Sequence, residues 1–213
     1  MRFASAVFDL DGTLLNTSQD IMDCLGIAYK KTVGKLPPGF KRTAIGPSLR
    51  EMIVGLSPGF SDEEVEKVAV AFRECYDASD YPKTKPYPGM PELLADLSMG
   101  IDLFVATNKR KFPAIRVLEL KKMNFFKDIV TIDYGAGPKI EKTQMLEILI
   151  EKWKLEKGKT VYVGDTASDV ISAAGAGIES VAVLWGYENG TGIRKAKPGY
   201  LVKNSEELRS LLL

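Results

Sequence analysis

Residues 4–8, Ala4-Ser5-Ala6-Val7-Phe8, run straight into Asp9-Leu10-Asp11-Gly12-Thr13, and the reading of this junction decides the fold. An Asp-Gly pair after an apolar run commonly makes a hairpin turn. Here the following residues, Leu14-Leu15-Asn16-Thr17-Ser18, lead into a helical pattern rather than a pairing strand. The junction therefore reads as the mouth of a buried strand. It carries two carboxylates one residue apart, and Gly12 lets the backbone turn sharply.

Working outward, the same pattern recurs. Residues 101–106 (IDLFVA) run into Thr107-Asn108, and residues 160–163 (TVYV) run into Gly164-Asp165. Residues 128–132 and 180–184 are further strand candidates, and helical patterns cover 112–122, 141–153 and 166–176. In the middle helix Met145, Ile148, Leu149 and Trp153 share one face, the spacing of a helix packed on a core. Apolar strands alternating with helices predict an α/β protein, a doubly wound, Rossmann-like parallel sheet covered on both faces. Sites in such sheets collect at the carboxyl ends of strands, and Asp9, Thr107, Asn108 and Asp165 all fall there.

Residues 16–85 interrupt the alternation. Helical patterns at 18–31 (Ile21, Leu25, Ala28), 48–56 and from Ser61 onward follow one another with no strand signal between them. Ser61 with Glu64 three positions on is a capping box, and Val65, Val68, Ala69, Phe72 and Tyr76 follow at helical spacing. The expected organisation is a core of residues 1–15 and 86–213, with a small helical cap of residues 16–85 inserted after the first strand. Hinges are expected at Leu15-Asn16-Thr17 and in the proline-rich stretch 82–89.

The whole sequence of 213 residues, 45% hydrophobic and 27% charged, is ordinary globular material, which excludes a disordered or collagen-like chain. Lys+Arg 29 against Asp+Glu 28 gives a net charge of +1, with no general pull toward nucleic acid or an anionic membrane. With no histidine, Ser-His-Asp and Cys-His triads are impossible. Cys24 and Cys75 stand far apart, form no metal-ligand spacing and are too few for a disulfide framework, so free thiols in a reducing cytoplasm are expected. Asp9 comes too soon for the apolar region of a signal peptide, and no apolar run approaches the ~18 residues of a membrane helix.

Chemistry concentrates in a few residues. In Asp9-x-Asp11 one carboxylate can attack as a nucleophile while the other handles protons. Thr166 and Asp169 fit a capping box that simply starts a helix. Asp165, however, ends an apolar strand where packing asks for no carboxylate. With Asp9 and Asp11 it would complete an all-oxygen cluster suited to Mg²⁺, and a cation explains why such acids can share a site. Thr107-Asn108 reads as an ordinary strand-to-helix corner, yet a hydroxyl with adjacent N–H groups there can also hold a phosphoryl oxygen. Phosphoryl transfer further calls for positive charge. Lys139 and Lys142 both stand near the start of the helix at 141–153, and either can instead be a solvated surface lysine.

These motifs, in this order, resemble the haloacid dehalogenase-like hydrolases, and within them the phosphoglycolate phosphatase and β-phosphoglucomutase group. The resemblance is carried by Asp9-x-Asp11-Gly12-Thr13, Thr107-Asn108, a lysine ahead of a helix and Gly164-Asp165-x-x-x-Asp169. The segment Tyr87-Pro88-Gly89-Met90-Pro91-Glu92-Leu93-Leu94 and the room for a helical cap add to it. The resemblance implies that Asp9 attacks phosphorus and that Asp11 protonates the leaving oxygen, then activates water. It implies Mg²⁺ on Asp9, the Asp11 carbonyl and Asp165, with Asp169 in support. Thr13, Thr107, Asn108 and a lysine would bind the transferred phosphoryl group. The family's usual Lys-Pro is Lys142-Thr143 here; Lys142 is preferred for its place on the amphipathic helix, and Lys139 is the alternative. Gly46-Pro47-Ser48-Leu49-Arg50 resembles the family's cap loop, so Arg50, Lys41 and Arg42 are candidates for substrate specificity, or else solvated charges.

The expectation is a cytoplasmic, Mg²⁺-dependent phosphatase of a small phosphorylated metabolite. It would be a monomer or homodimer, with no nucleic-acid or membrane partner. Asp11 argues against a dehalogenase. A β-phosphoglucomutase-like mutase, a nucleotidase and a pyrophosphatase remain open. From other classes, a non-turnover phospho-aspartate signalling module would be nearer ~120 residues and lack the insert, and a silent binding protein would not need every acid.

Overall fold

The structure is a computed structural model that describes residues 2–40, 45–135, 137–188 and 190–213. The chain divides into two compact units, one of Met1–Asn16 with Lys85–Leu213 and one of Thr17–Thr84.

The larger unit is built on a six-stranded sheet. Its strands are β1 (Ser5–Phe8), β4 (Asp102–Thr107), β5 (Asp128–Thr131), β6 (Thr160–Gly164), β7 (Glu179–Val183) and β8 (Tyr200–Val202), in the order β5-β4-β1-β6-β7-β8. Every pairing in it is parallel. The residues explain this: Ala6, Val7 and Phe8, Leu103 to Ala106 and Val161 to Val163 are buried in unbroken runs, the composition of strands covered on both faces. The sequence reading missed β8 and three helices, α4 (Met90–Leu97), α8 (Gly190–Lys195) and α9 (Ser205–Leu212). All are short, and the apolar periodicity of so few residues is weak.

Helices α5 (Lys111–Leu120), α6 (Lys142–Trp153) and α7 (Ala167–Ala176) follow β4, β5 and β6. On one face of the sheet, Met145, Leu146 and Leu149 of α6 and Ala173 and Ala176 of α7 pack against Val7, Phe104, Ala106, Val130 and Tyr162. Trp153 is more exposed than its spacing suggested, although its ring still lies 5.4 Å from that of Phe104. At α7 the capping box is real: Thr166 Oγ1 accepts from the Asp169 N–H, and Asp169 Oδ2 accepts from the Thr166 N–H. Such a cap is worth about 1 kcal/mol, and Gly177, at φ +73°, closes the other end.

Register places the site. Phe8 lies opposite Val105 on one side and Val163 on the other, so the strands leave the sheet at one level. The chain runs outward from β1 to β4 and β5, then returns to β6 on the other side of β1. That reversal is a topological switch point, where a crevice opens at the carboxyl ends. Asp9 and Asp165 stand on its two sides.

Two-residue strands β2 (Leu15–Asn16) and β3 (Lys85–Pro86) pair antiparallel where the chain leaves and re-enters this unit. The sequence reading saw only linkers there, because two residues carry no periodicity.

The smaller unit packs α1 (Ser18–Val33), α2 (Leu49–Leu56) and α3 (Asp62–Asp77). Ile21, Leu25 and Ala28 of α1 and Val65, Val68 and Phe72 of α3 are buried. The Ser61–Glu64 capping box starts α3, and a second, Ser48–Glu51, starts α2. One expectation is overturned here. Cys24 on α1 and Cys75 on α3 are joined in a disulfide, with Cα atoms 5.6 Å apart. Their sequence separation is 51, but the packing of α1 on α3 brings the pair within bonding reach. The free-thiol argument for a reducing compartment falls with it. Among the described residues no helix is long and apolar enough to cross a membrane.

Candidate active site

The site forms where β1, β4 and β6 end. Asp9 continues the β1 ladder, its N–H donating to the Val163 carbonyl at 2.8 Å. Beyond it the chain folds back tightly: the N–H groups of Leu14 and Leu15 return to the Leu10 carbonyl, and Gly12 sits at φ +94°. A side chain at Gly12 would be strained there, and its Cβ would come 2.3 Å from Asp165 Oδ2. Gly186, after β7, approaches from another side, where a Cβ would lie 2.2 Å from that of Asp165. Asp165 is thus cradled between two stretches of bare backbone.

Its carboxylate is held at both oxygens. Thr13 Oγ1 donates to Oδ1 at 3.2 Å, and the Tyr187 N–H donates to Oδ2 at 2.7 Å. Trp185 Nε1 donates to the Thr13 carbonyl at 3.0 Å, which ties the loop after β7 to the loop after β1. The Thr13 hydroxyl, expected on a phosphoryl group, is therefore engaged with Asp165 in this structure.

Carboxylate oxygens of Asp9, Asp165 and Asp169 lie within 4.8 Å of one another, all buried. Lys142 Nζ sits among them, 3.0 Å from Asp9 Oδ1 and 2.6 Å from Asp169 Oδ1. Lys139, the other candidate, is exposed. Asp169 Oδ1 also accepts from Tyr162 at 3.2 Å, and its Oδ2 accepts from the N–H and hydroxyl of Thr166 at 2.9 and 2.7 Å. Asp169 is thus a helix cap, as one reading of the sequence had it, and it also holds Lys142, a contact the sequence did not suggest.

Sequence reasoning missed Lys109. Its ammonium is buried and donates to both oxygens of Asp11, at 2.8 and 2.9 Å, while its N–H donates to Thr107 Oγ1 at 3.2 Å. Thr107 is buried and Asn108 half-buried at the same corner. The available signal was a third polar residue directly after Thr107-Asn108, at a place where a buried lysine must have an acid partner. The loop Trp185-Gly186-Tyr187 carried no comparable signal. Arg50 lies in the smaller unit, exposed and paired with Asp62. Lys41 and Arg42 lie outside the described residues.

The electrostatics are those of crowded anions. Burial, chiefly, and then the charges of Asp169, Asp165 and Asp11 push Asp9 well above the usual carboxylate range, against the pull of Lys142. Burial and then Asp169 raise Asp165 to about 7, opposed by the Tyr187 N–H, Lys142 and Thr13. Burial alone would lower Lys142, but the charges and hydrogen bonds of Asp169 and Asp9 outweigh it and drive its pKa up. With all four carboxylates ionised, the ammoniums of Lys109 and Lys142 would leave a surplus of two negative charges among these described residues. Hard oxygen donors, close spacing and that surplus fit a hard divalent cation.

The sequence profile of the haloacid dehalogenase-like hydrolases matches residues 6–183, and the chain belongs to that family. Among its relatives is the tyrosine-protein kinase PtkA of Mycobacterium tuberculosis, 31% identical over 183 residues. The match covers 85% of this chain but 62% of that protein's length. The phosphoglycolate phosphatase of Aquifex aeolicus is 32% identical over 194 residues, covering 85% of this chain and 84% of its own. A crystal structure from Clostridium difficile is 28% identical and superposes with a TM-score of 0.86 over the whole of both chains.

Proposed function

We propose that the protein is a Mg²⁺-dependent phosphatase of a small phosphorylated metabolite, a phosphoglycolate-like phosphomonoester, and that it works through an aspartyl-phosphate on Asp9. The observation that carries this reading is the pairing of a strand-end Asp9 with the Lys142 ammonium, 3.0 Å away, inside a ring of acids. The name of the Aquifex aeolicus relative supports the substrate class.

Asp9 Oδ attacks phosphorus, forming the Asp9–phosphorus bond as the ester P–O bond breaks, and Asp11, entering this step protonated from solvent and turned away from Lys109, gives that proton to the departing oxygen. Asp11 then takes a proton from water, which attacks the same phosphorus and releases inorganic phosphate and Asp9. Lys142 balances charge on the phosphoryl oxygens, and Thr107 and Asn108 with the N–H groups after Asp11 bind them. Asp9, the Asp11 carbonyl and Asp165 would hold Mg²⁺, and Asp169 supports the set by fixing Lys142. The cation supplies charge neutralisation that lets a carboxylate approach a phosphate dianion. Lys109 holds Asp11 in place until the substrate's leaving group arrives.

The smaller unit, Thr17–Thr84, is proposed to supply specificity groups. Arg50 is the candidate for a substrate carboxylate; its exposed pair with Asp62 is cheap to exchange for one.

The test is phosphate release from 2-phosphoglycolate, sugar phosphates, nucleotides and pyrophosphate, with Mg²⁺ and with EDTA, beside the Asp9→Asn variant. Release that requires Mg²⁺ and disappears in D9N is expected. Near-normal release by D9N would sink the mechanism. Autophosphorylation from ATP without net hydrolysis would place the chain with its kinase-named relative instead.

A further inference from the structure

Strand β6 is buried along its whole length. Within it Tyr162 is fully buried among Val7, Phe104, Ala106, Met145 and Leu149. A phenylalanine would fill this space with no polar atom, and a buried hydroxyl is costly unless it is bonded. The Tyr162 hydroxyl lies 3.1 Å from the Ala106 carbonyl and 3.2 Å from Asp169 Oδ1, so one proton serves two acceptors. The Ala106 carbonyl alone would satisfy it. The second acceptor is the very oxygen that holds Lys142 Nζ at 2.6 Å, and Lys142 in turn reaches Asp9 at 3.0 Å. The ammonium also stands 5.9 Å from the centre of the Tyr162 ring.

We propose that Tyr162 is a positioning residue for phosphoryl transfer: its hydroxyl fixes Asp169 Oδ1, which sets the Lys142 ammonium against Asp9. The inference rests on the reading of Asp9 as the nucleophile. A lysine ammonium is a point charge on a flexible stem with three rotatable donors. Thr166 grips Asp169 Oδ2, so Tyr162 is what steadies Oδ1, the side that faces the lysine. Without the hydroxyl the charge of Lys142 remains near the site and still attracts a phosphate dianion. What is lost is the alignment that the transition state needs, and small misplacements there cost rate more than binding.

The experiment compares wild type, Tyr162→Phe and Asp9→Asn, each as the full chain, with p-nitrophenyl phosphate and Mg²⁺. Thermal melts measure the folded fraction. Y162F keeps the ring volume and is expected to melt cooperatively. It should lower kcat about tenfold, the scale of one lost hydrogen bond to a charged group, and leave KM within about twofold. A merely structural hydroxyl would shift the melt and leave kcat of the folded protein unchanged, which would overturn the proposal. Placing p-aminophenylalanine at position 162, which restores an N–H donor, should recover most of kcat; failure to recover it counts against the proposal even if Y162F folds poorly. Turnover by D9N would instead remove the nucleophile assignment on which the inference stands. An inactive D9N beside a fully active Y162F removes the role of Tyr162 alone.

Discussion

Reducing the Cys24–Cys75 disulfide is expected to weaken the smaller unit selectively. The bond closes a loop with a sequence separation of 51 residues between α1 and α3. The chain-entropy relation for a loop of that size gives about 4 kcal/mol of stabilisation through restriction of the unfolded chain. A helical unit of roughly 70 residues draws only about 3–5 kcal/mol from its own core, so the cross-link is of the same order as everything else that holds Thr17–Thr84 together. Both sulfurs belong to helices whose apolar faces already meet, so Cys24→Ala/Cys75→Ala removes little other packing. Thiol titration in guanidinium without reductant should find no free thiol in the native protein. Hydrogen exchange with and without dithiothreitol should then show faster opening across residues 17–84, while β1, β4 and β6 keep their protection. Guanidinium unfolding should register the loss as an earlier transition assigned to the same residues. A double-alanine protein whose residues 17–84 exchange as slowly as the wild type's would refute the reasoning.

Three further outcomes follow from the acid cluster. Asp165, raised to about 7 by burial and Asp169, stands far above the ~3.9 of an unfolded aspartate. Its contribution to stability is therefore full below about pH 4 and lost as pH rises through about 7, on the order of 4 kcal/mol, with Asp9 pulling the same way. In EDTA the urea midpoint of wild type should fall between about pH 4 and 7 more steeply than that of Asp165→Asn; equal slopes would contradict this. Gly186→Ala must displace Asp165 or its own loop, and calorimetric titration should show Mg²⁺ affinity reduced by about tenfold or more. Lys142→Met leaves Asp9 and Asp169 facing without their cation and should cost about 3–5 kcal/mol in urea unfolding, whereas Lys139→Met should stay within about 0.5 kcal/mol. A larger loss from Lys139 would reverse the choice between them.

Much of the larger unit was legible because its strands are buried on both faces. An unbroken run such as Ala6-Val7-Phe8 signals that state without reference to any partner, and parallel pairing follows from the helices between such runs. The acids at strand ends were legible for the complementary reason, since Asp9 and Asp165 break apolar runs where packing asks for no charge. The short ladder of Leu15–Asn16 with Lys85–Pro86 was not legible. Nor was Lys109, because its meaning depends on Asp11, which is distant in sequence, lying within reach of its ammonium. Tyr162 looked like one more apolar strand residue, and only the position of its hydroxyl distinguishes it from a phenylalanine.

What the sequence settled unaided is the kind of protein: strand-helix alternation with a helical insert, and strand-terminal acids in a fixed order that imply phosphoryl chemistry. Those properties are local, written in burial periodicity and in residues adjacent along the chain. Tertiary structure decided which groups neutralise which. It set Lys142 between Asp9 and Asp169, gave Asp11 to Lys109, closed Gly12 and Gly186 around Asp165, and brought two remote cysteines together. Each is a pairing across many residues of chain, and electrostatic and covalent partners are chosen by distance in space, which no stretch of sequence states by itself.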